Sequence, residues 1–583
     1  MNPEMIGKNF ESAGKYIPHI LKKIIPAEFN FEQTPPFKYP KNTPTCLIGM
    51  NNCNQLMQIY NLSHEPIKEI KWVKIPIYVI EPDVNIFKAN MFFSDIATFL
   101  NSERVKFFVG DDALDEFEKF MNDDQVNPPH SVFNLEKRYE PVAKQCVDIL
   151  MSTTEKKGKQ ENELEKVINS YYDAVNWKSI YSDKRDRPLR AMILTSRFST
   201  YIQYSARDIA DGFKDNGHEA IVVKENNDIS VMSLLHHYTK MNEFKPDMVI
   251  IIGYFRKEWC PKSIPFITWV QDDLPQTFNQ GNVDNLSEKD FVFCIYRGFR
   301  ERFIQMGMPE NRVDMQIIPA NTSIYKPIES KKECDVVYIQ HGGTSPEHEY
   351  VNLRNQHDNQ FERIIIDRCW EKIKESFSNN KYLYYDDYDK IFEEMEDKLS
   401  IKIKDEKTRW RIVYALRFFV GNRFLRQMPL EMISGMGVNL ELYGKDWENH
   451  PRLSKHAKGI AQNGEELNKI YNRAKIALHL QHDATLNQRV TEGMASETFY
   501  IVQYLERDLQ PITEYFEEGK DFVFFYDLKD LKEKIEFYLK NDDKRNEIAR
   551  NAYFKILSKY NYKKMVNDWI GKITERIGGD SNG

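Results

Sequence analysis

Arg489 and Glu492 have side chains whose types and spacing would allow them to bind a charged ligand together. An apolar stretch from Ile476 to Leu480 predicts a short strand, the polar residues after it a loop, and the residues from Val490 onward a helix. Arg489 and Glu492 then lie three residues apart on one helical face at the carboxyl edge of a sheet, where open α/β sheets bind ligands. The cation suits a diphosphate and the carboxylate suits the two hydroxyls of a ribose, although such a pair also forms ordinary intrahelical salt bridges.

The segment around this pair, Asn487-Gln-Arg489-Val-Thr-Glu492-Gly-Met-Ala495, resembles the N-x-R-x-x-E-x-x-A segment of CgeB-like, group 1 glycosyltransferases with the GT-B fold. The order of elements that follows, strand, turn, strand and helix, is similar to that of their C-terminal half. The resemblance implies an α/β protein in which two doubly wound Rossmann-like domains face a cleft. It also implies that Asn487, Arg489 and Glu492 bind a nucleotide diphosphate-sugar, with no metal ion and no further cofactor.

Two more strand ends complete the expected donor site. The strand from Cys334 ends in Gly342-Gly343, where backbone N–H groups could approach a phosphate, although a tight turn explains the glycines equally well. The segment Tyr443-Gly444-Lys445-Asp-Trp resembles a strand-and-loop segment of the same family, which implies a donor-binding role for these residues. Lys445 either pairs with the donor phosphate or is a surface lysine.

The middle of the chain alternates apolar strands with helices and predicts a second doubly wound sheet. Asp272 follows one of these strands and is our choice for the catalytic group on the acceptor side; the alternative is a turn-forming or helix-capping Asp close to Pro275. The other candidates at the strand ends are Ser196, Arg197, Gly253, Gln271, Asp273, Tyr296 and Arg297.

An additional α/β unit precedes this core. Strands around residues 45–50, 75–81 and 104–110 predict a nucleotide-binding type of sheet, with Glu81 at the position of a ribose-binding acid. The turn after the first strand has one glycine, Gly49, where a cofactor loop usually needs more, so we favour a structural role. A methyltransferase fused to the transferase is the alternative. The unit also resembles the N-terminal region of bacterial, flagellin-type glycosylation modules.

These patterns predict how the chain is divided into domains, and the resemblance implies the role of each domain. We expect an N-terminal Rossmann-like domain at 1–135, a solvated helical linker at 136–185, an acceptor-side domain at 186–325 and a donor domain at 326–560, followed by a crossing helix and tail at 561–583. The spacing of Trp370, Ile373 and Phe377, and of Trp410, Val413, Leu416 and Phe419, predicts inserted helices at 350–435 that cover the cleft or bind a partner.

Composition excludes other classes of protein. The 583 residues carry a net charge of -7, which gives no basic surface for nucleic acid. No apolar run reaches the ~18 residues of a membrane span, and we expect a cytoplasmic protein with reduced, buried cysteines. A C-terminal helix with Lys563, Lys564 and Lys572 leaves peripheral membrane contact open, but its acidic residues favour packing.

The function implied by the resemblance is transfer of a sugar from a nucleotide diphosphate to an acceptor, with the anomeric configuration retained. The large surfaces of the N-terminal unit and the inserted helices lead us to expect a protein or glycan acceptor. One departure from the retaining groups concerns their E-x(7)-E pattern: counted back from Glu492, the first glutamate falls at Ala484, and Asp483 could replace it. The alternative function is a non-catalytic protein that binds nucleotide-sugars or acts as a scaffold.

Overall fold

Parallel β-sheets organise the chain in three successive units. The computed structural model describes residues 3–16, 43–62, 74–182, 185–199, 201–274, 276–342, 344–379, 383, 386–481 and 483–578. Seven of the fifteen described strands are buried along their whole length, and six others have one or two residues that are not buried, as expected when helices cover both faces of a parallel sheet. All seven cysteines lie buried as free thiols.

The first unit is a four-stranded parallel sheet in the order β3-β2-β1-β4. Its strands are β1 (Thr45–Ile48), β2 (Ile77–Glu81), β3 (Val105–Val109) and β4 (Ser131–Asn134). The helices are α1 (Pro3–Tyr16), α2 (Asn54–Leu62), α3 (Val84–Phe93), α4 (Ile96–Leu100) and α5 (Ala113–Met121).

A single long helix, α6 (Glu140–Asp173), and the short α7 (Trp177–Ile180) connect this unit to the second one. The sequence analysis expected a solvated linker helix, but residues at both ends of α6 are buried. Cys146 near its start lies in the core of the first unit, whereas Ile168 and Tyr172 near its end lie in the core of the second. Helix α6 therefore joins two hydrophobic cores.

The second unit is a six-stranded parallel sheet in the order β10-β9-β8-β7-β5-β6. Its strands are β5 (Arg190–Leu194), β6 (Glu219–Val223), β7 (Met248–Ile252), β8 (Phe266–Val270), β9 (Asp290–Cys294) and β10 (Val313–Met315). The helices are α8 (Ile202–Asp215), α9 (Leu234–Phe244), α10 (Gln280–Asp284) and α11 (Arg297–Gln305).

The third unit is a five-stranded parallel sheet in the order β12-β11-β13-β14-β15. Its strands are β11 (Cys334–Ile339), β12 (Leu440–Tyr443), β13 (Ala474–His479), β14 (Phe499–Gln503) and β15 (Val523–Phe525). Between β11 and β12 lies a helical insertion with a core of its own. It consists of α12 (Pro346–Asn355), α13 (Gln360–Ser378), α14 (Asp387–Leu399), α15 (Glu406–Ala415), a π-helical turn (Leu416–Gly421) and α16 (Asn422–Ser434).

The remaining helices of the third unit follow β12 and cover its sheet. They are α17 (Glu465–Arg473), α18 (Gln488–Ala495), α19 (Leu528–Lys540) and α20 (Asp542–Lys559), and the chain then enters α21 (Tyr562–Gly578).

Helix α21 returns to the second unit and packs on α8. Where the chain passes between the two units, Ala320 and residues 560–562 form a bridge: the Ala320 N–H donates to the Tyr560 carbonyl at 3.0 Å, and the Tyr562 N–H donates to the Ala320 carbonyl at 3.3 Å. The outgoing and returning segments are thus fastened to each other. Two doubly wound parallel sheets joined in this way confirm the predicted GT-B fold class.

Across the described ranges, no helix is both long and apolar enough to cross a bilayer. The apolar residues of α21 instead lie in the core of the second unit.

Removing the indole of Trp569 is expected to destabilise the junction of the two units. Trp569 is fully buried, with its ring 5.1 Å from that of Phe293 and 5.7 Å from that of Trp269. Trp569→Ala should lower the free energy of unfolding by about 3–5 kcal/mol, because it leaves a cavity in a packed core. Urea unfolding measures this loss. Phe554→Ala, at an exposed position of α20, is the control, and an equal loss in both variants would contradict the packing role.

Candidate functional site

The first turn of α18 is built to hold Arg489 at the edge of the third sheet. Asn487 caps the helix, its side-chain oxygen accepting the N–H groups of Arg489 at 3.0 Å and Val490 at 3.3 Å. The Arg489 carbonyl accepts the hydroxyls of Tyr471 at 3.1 Å and Tyr500 at 2.6 Å. With its backbone fixed, the Arg489 side chain is exposed at the positive end of the helix dipole.

Three further basic groups lie around Arg489: His341 after β11, Lys445 after β12, and Arg426 on α16. Arg426 is 8 % exposed, and its guanidinium donates through Nη1 to the His341 carbonyl at 3.2 Å. Its Nε has no hydrogen-bond partner among the described residues. The Lys445 N–H donates to His341 Nδ1 at 3.1 Å, which connects the two strand ends.

Electrostatics in this cluster, hereafter the basic cluster (His341, Arg426, Lys445, Arg489), favour an anion. Burial, and then the charges of Arg489, Lys445 and Arg426, lower the pKa of His341. Burial also lowers the pKa of Arg426, with neighbouring arginines acting in the same direction and Asp483 against it. A buried guanidinium left partly without partners is costly. A bound diphosphate would supply the missing acceptors and charge.

The glycines at this edge allow the ends of β11 and β12 to approach. A Cβ on Gly342 would collide with the indole of Trp447, and one on Gly444 would collide with the Gln340 carbonyl. The Gly342 N–H donates to the Lys445 carbonyl at 3.0 Å, so it is not available to a phosphate as the sequence analysis expected. Gly343 lies outside the described residues.

Tyr443 does not reach the cleft either. Its side chain is buried in the core of the third unit, and its hydroxyl donates to Glu441 at 2.9 Å. Arg473 binds the same carboxylate at 3.1 Å. The donor-binding role expected of Tyr443 is therefore corrected to a structural one within the sheet.

Glu492 occupies a different environment from Arg489 although one helical turn separates them. It is 2 % exposed, and its Oε1 accepts Gln488 Nε2 at 2.7 Å and Asn463 Nδ2 at 3.5 Å. Asn463 also binds Arg207 of the second unit at 2.9 Å. Burial raises the pKa of Glu492 to about 8, with the Arg489 charge acting in the opposite direction. Glu492 thus lies at the floor of the cleft, in a hydrogen-bond network that joins both units.

The acceptor side presents Gln271 and Asp272 at the end of β8. Gln271 is 4 % exposed, yet neither its amide nitrogen nor its amide oxygen has a hydrogen-bond partner within the described part of the chain. Asp272 is exposed to solvent on one side, and desolvation by the surrounding protein raises its pKa. Its charge acts on Tyr201, Tyr296 and Tyr414, which come from three different elements.

Most other acceptor-side candidates already have partners. Ser196 Oγ and the Arg197 N–H donate to the Glu225 carboxylate at 3.0 and 2.8 Å, and Arg197 also pairs with Asp228. Asp273 pairs with Arg302 at 3.0 Å. These contacts order the loops at the strand ends, which gives Ser196, Arg197 and Asp273 structural tasks.

Gly253 and Arg297 also have tasks that do not require an acceptor. Gly253 has a φ of +77° and its carbonyl accepts the Thr277 hydroxyl at 2.9 Å, so it shapes the turn after β7. Arg297 pairs with Glu514 of the third unit at 2.7 Å and bridges the cleft.

The corresponding loop of the first unit is filled by the protein's own acids. Glu81 accepts the Met50 N–H at 2.7 Å and the Tyr139 hydroxyl at 2.7 Å, and Glu136 accepts the Asn51 N–H at 3.1 Å. Burial raises the pKa of Glu81 to about 8. Because these carboxylates take the loop amides that would face a ligand, the geometry favours the structural role.

Among the described residues, no group of three or more His, Cys, Asp or Glu side chains could hold a metal ion.

Comparison with known proteins finds a family that is similar to the C-terminal part of the chain. Residues 422–571, which begin with α16 and end within α21, match a family described as glycosyl transferase-like. The C-terminal part of the chain is a glycosyltransferase domain. The match covers Arg426, Lys445, Arg489 and Glu492 and therefore most of the basic cluster. The finer resemblance to the CgeB-like group stays a prediction, and no curated protein matches the sequence.

Solved structures of several glycosyltransferases align with this chain at low sequence identity. A glycosyltransferase from Rickettsia africae ESF-5 aligns with a TM-score of 0.38 at 10% identity over 68% of this chain and 100% of that one. HepE from Anabaena, in complex with UDP and glucose, aligns with a TM-score of 0.33 at 11% sequence identity, over 66% of this chain and 98% of that one. Sucrose-phosphate synthase from Thermosynechococcus elongatus aligns with a TM-score of 0.39 at 8% sequence identity, over 67% of this chain and 100% of that one. At these scores the likeness carries no argument, and the fold assignment rests on strand order and the chain crossing.

Sequence reasoning missed His341, Arg426 and Asn463. His341 directly precedes the glycine pair and could have been found as a third basic strand end. Arg426 lies in a helix whose apolar spacing gave no reason to single out one residue, and only packing brings it to His341.

The raised pKa of Glu492 predicts a pH-dependent stability. The folded protein holds this proton up to about pH 8, whereas the unfolded chain releases it near the ordinary pKa of 4.5. Stability therefore falls as pH rises between these values. Glu492→Gln keeps an acceptor for Gln488 and lacks the ionisation.

The melting temperature of Glu492→Gln, relative to that of the unchanged protein, should accordingly rise between about pH 5 and pH 8. Thermal melts in matched buffers measure this difference, with the exposed position Glu448→Gln as the control. A difference that is constant across this range would show that Glu492 is ionised in the folded state.

Proposed function

We propose that this glycosyltransferase moves a sugar from a nucleotide diphosphate-sugar to a hydroxyl of a protein or glycan acceptor, without a metal ion and with retention of configuration. The observation that carries the proposal is the basic cluster at the carboxyl edge of the third sheet, with a buried guanidinium whose Nε lacks a partner. Three of its four members, Arg426, Lys445 and Arg489, lie within the matched residues 422–571.

The barrier to transfer lies in breaking the bond between the anomeric carbon and the diphosphate while negative charge develops on the leaving group. Arg489, Arg426 and Lys445 neutralise that charge from three elements, so no metal ion is required for this purpose. Asn487 holds the helix N-terminus in place beside them. Glu492, in its protonated form at neutral pH, binds the ribose hydroxyls from the floor of the cleft.

The acceptor approaches from the second unit. Its hydroxyl oxygen attacks the anomeric carbon from the face that the diphosphate leaves, and the carbon–oxygen bond to the diphosphate breaks with its electron pair on the phosphate oxygen. The acceptor proton passes to that oxygen, which gives the glycosylated acceptor and a nucleoside diphosphate. Asp272 orients the acceptor hydroxyl from the end of β8.

Asp483 supplies the acid that the E-x(7)-E comparison lacks at Ala484. Its charge acts on Arg426 of the basic cluster and on Tyr296 of the acceptor side. This position between the two sides of the cleft supports a role beside the transferred sugar.

A donor screen tests the transferase directly. The full chain should be stabilised thermally by one nucleotide-sugar of a panel and should slowly release its nucleoside diphosphate. Arg489→Ala and Arg426→Ala should each weaken donor binding by about tenfold or more, because each removes a charge-assisted contact to phosphate. Arg368→Ala, an exposed arginine of α13, is the matched control.

Excess EDTA throughout the screen should leave donor release unchanged, and loss of turnover would contradict the metal-independent proposal. Binding without turnover would favour the non-catalytic, nucleotide-sugar-binding alternative. No donor binding at all would overturn both.

The stereochemistry is tested separately once a donor and an acceptor are known. The anomeric proton of the product should show the same configuration as the donor, read from its NMR coupling constant. Asp483→Asn should reduce turnover more than donor affinity, since the acid acts beside the reacting sugar. An inverted product would overturn retention and leave the transferase intact.

A further inference from the structure

A chain of hydrogen bonds runs from the second unit to the carboxyl group of Glu492. It begins at Arg207 on α8, whose Nη2 donates to Asn463 Oδ1 at 2.9 Å. The Nδ2 of the same amide donates to Glu492 Oε1 at 3.5 Å, and Gln488 Nε2 donates to this oxygen at 2.7 Å. Glu492 is thus contacted from its own helix and, through a single amide, from the other unit.

Arg207 is itself held in place by a buried acid. Its Nε and Nη2 donate to Asp208 Oδ1 at 2.9 and 2.7 Å, and Asp208 is fully buried. The same oxygen accepts Asn321 Nδ2 at 2.9 Å, and Asn321 directly follows Ala320 of the bridge between the units. Because three N–H groups meet at one carboxylate oxygen, the guanidinium has a fixed place beside this crossing.

The backbone next to Asn463 is fixed as well. The Gly464 N–H donates to the Tyr325 hydroxyl at 3.1 Å, and the Gly464 carbonyl accepts the Asn468 N–H at 3.0 Å. Gly464 has a φ of +109°, a conformation that glycine adopts without strain, and it begins the turn into α17. The loop therefore delivers the Asn463 side chain to a defined point between Arg207 and Glu492.

The order of donors and acceptors gives the chain of hydrogen bonds a direction. A guanidinium carries only N–H donors, so the Asn463 atom beside Arg207 is the amide oxygen and the amide nitrogen faces Glu492. An asparagine without such a partner could turn either atom toward a carboxyl group. Arg207 therefore decides that Asn463 acts as a donor to Glu492.

We propose that Arg207 is a positioning residue for the sugar donor: through Asn463 it holds the Glu492 carboxyl group in the orientation that binds the ribose hydroxyls. The inference rests on the proposed function and adds a residue of the acceptor-side unit to donor binding. Because Arg207 and Glu492 lie on different units, the contact depends on the width of the cleft. Arg207 acts only on the ribose part of donor affinity, since the basic cluster binds the diphosphate without it.

The test compares nucleoside diphosphates with and without ribose hydroxyls. The probes are UDP, GDP and ADP and their 2′,3′-dideoxy forms, and isothermal titration calorimetry on the full chain gives each dissociation constant. Arg207→Ala and Asn463→Ala should each weaken the recognised nucleoside diphosphate by about tenfold and leave its dideoxy form unchanged. Lys214→Ala, an exposed cation on the same helix as Arg207, is the control and should bind both forms like the unchanged protein.

Asn463→Asp separates positioning from a purely structural link between the units. Its carboxylate still accepts from Arg207, but it presents an acceptor to Glu492 in place of the N–H. Asn463→Asp should weaken the recognised nucleoside diphosphate as much as Asn463→Ala does, with a melting temperature at or above that of Asn463→Ala. Affinity equal to that of the unchanged protein would assign Asn463 to the contact between units alone and overturn the positioning role.

Two further variants of the full chain keep the test decisive. Arg207→Lys keeps a cation beside Asp208 and a donor for Asn463, so it should restore most of the affinity that Arg207→Ala loses. Glu492→Ala should lose the same ribose-dependent affinity, and Arg207→Ala added to it should weaken binding no further, because both act on one contact.

The outcomes separate this inference from the proposed function. Equal weakening of the ribose and dideoxy probes by Arg207→Ala, or full additivity with Glu492→Ala, would overturn the positioning role and leave the proposed function. Failure of the unchanged protein to bind any of the nucleoside diphosphates would overturn the proposed function, and this inference with it.

Discussion

Positive charge held out of water at one sheet edge is the constraint on which the site depends. Arg426 is buried, its Nη1 is bound by a neutral carbonyl, and its Nε has no partner in the described part of the chain. Such a group is tolerated only when the surrounding structure fixes it. Here the close approach of the β11 and β12 ends, made possible by Gly342 and Gly444, fixes the loop that binds it. The free energy released on binding an anion is thereby available for a phosphorylated ligand.

The second requirement is that two separately folded sheets meet at a defined distance. The bridge at Ala320 and residues 560–562, together with α21 on the second core, holds the outgoing and returning chain side by side. The Arg207–Asn463–Glu492 network and the Arg297–Glu514 pair add polar contacts across the cleft. The helical insertion contributes Arg426 to the basic cluster, where its guanidinium binds the His341 carbonyl.

Two buried glutamates illustrate how similar electrostatics serve different ends. Burial raises the pKa of both Glu81 and Glu492 to about 8. Glu81 is saturated by backbone and tyrosine donors of its own domain, and this closes the loop where a nucleotide would bind. Glu492 is bound by two side-chain amides at the floor of an open cleft. A raised pKa alone therefore does not identify a site, whereas its surroundings do.

The sequence by itself determined the alternation of buried strands and helices, and with it the fold class, because hydrophobic runs and their breaks are local properties of the chain. It also placed Asp272 just after a strand, and Arg489 and Glu492 on the helix that follows another strand. These positions lie at sheet edges, since parallel strands bring their carboxyl ends to one edge. Only the tertiary structure decided which of these groups are already satisfied. It assigned Tyr443, Ser196 and Arg197 to internal contacts, and it brought Arg426 to the basic cluster. The reason is physical: hydrogen-bond partners and burial are set by residues distant in sequence, so spacing along the chain carries no record of them.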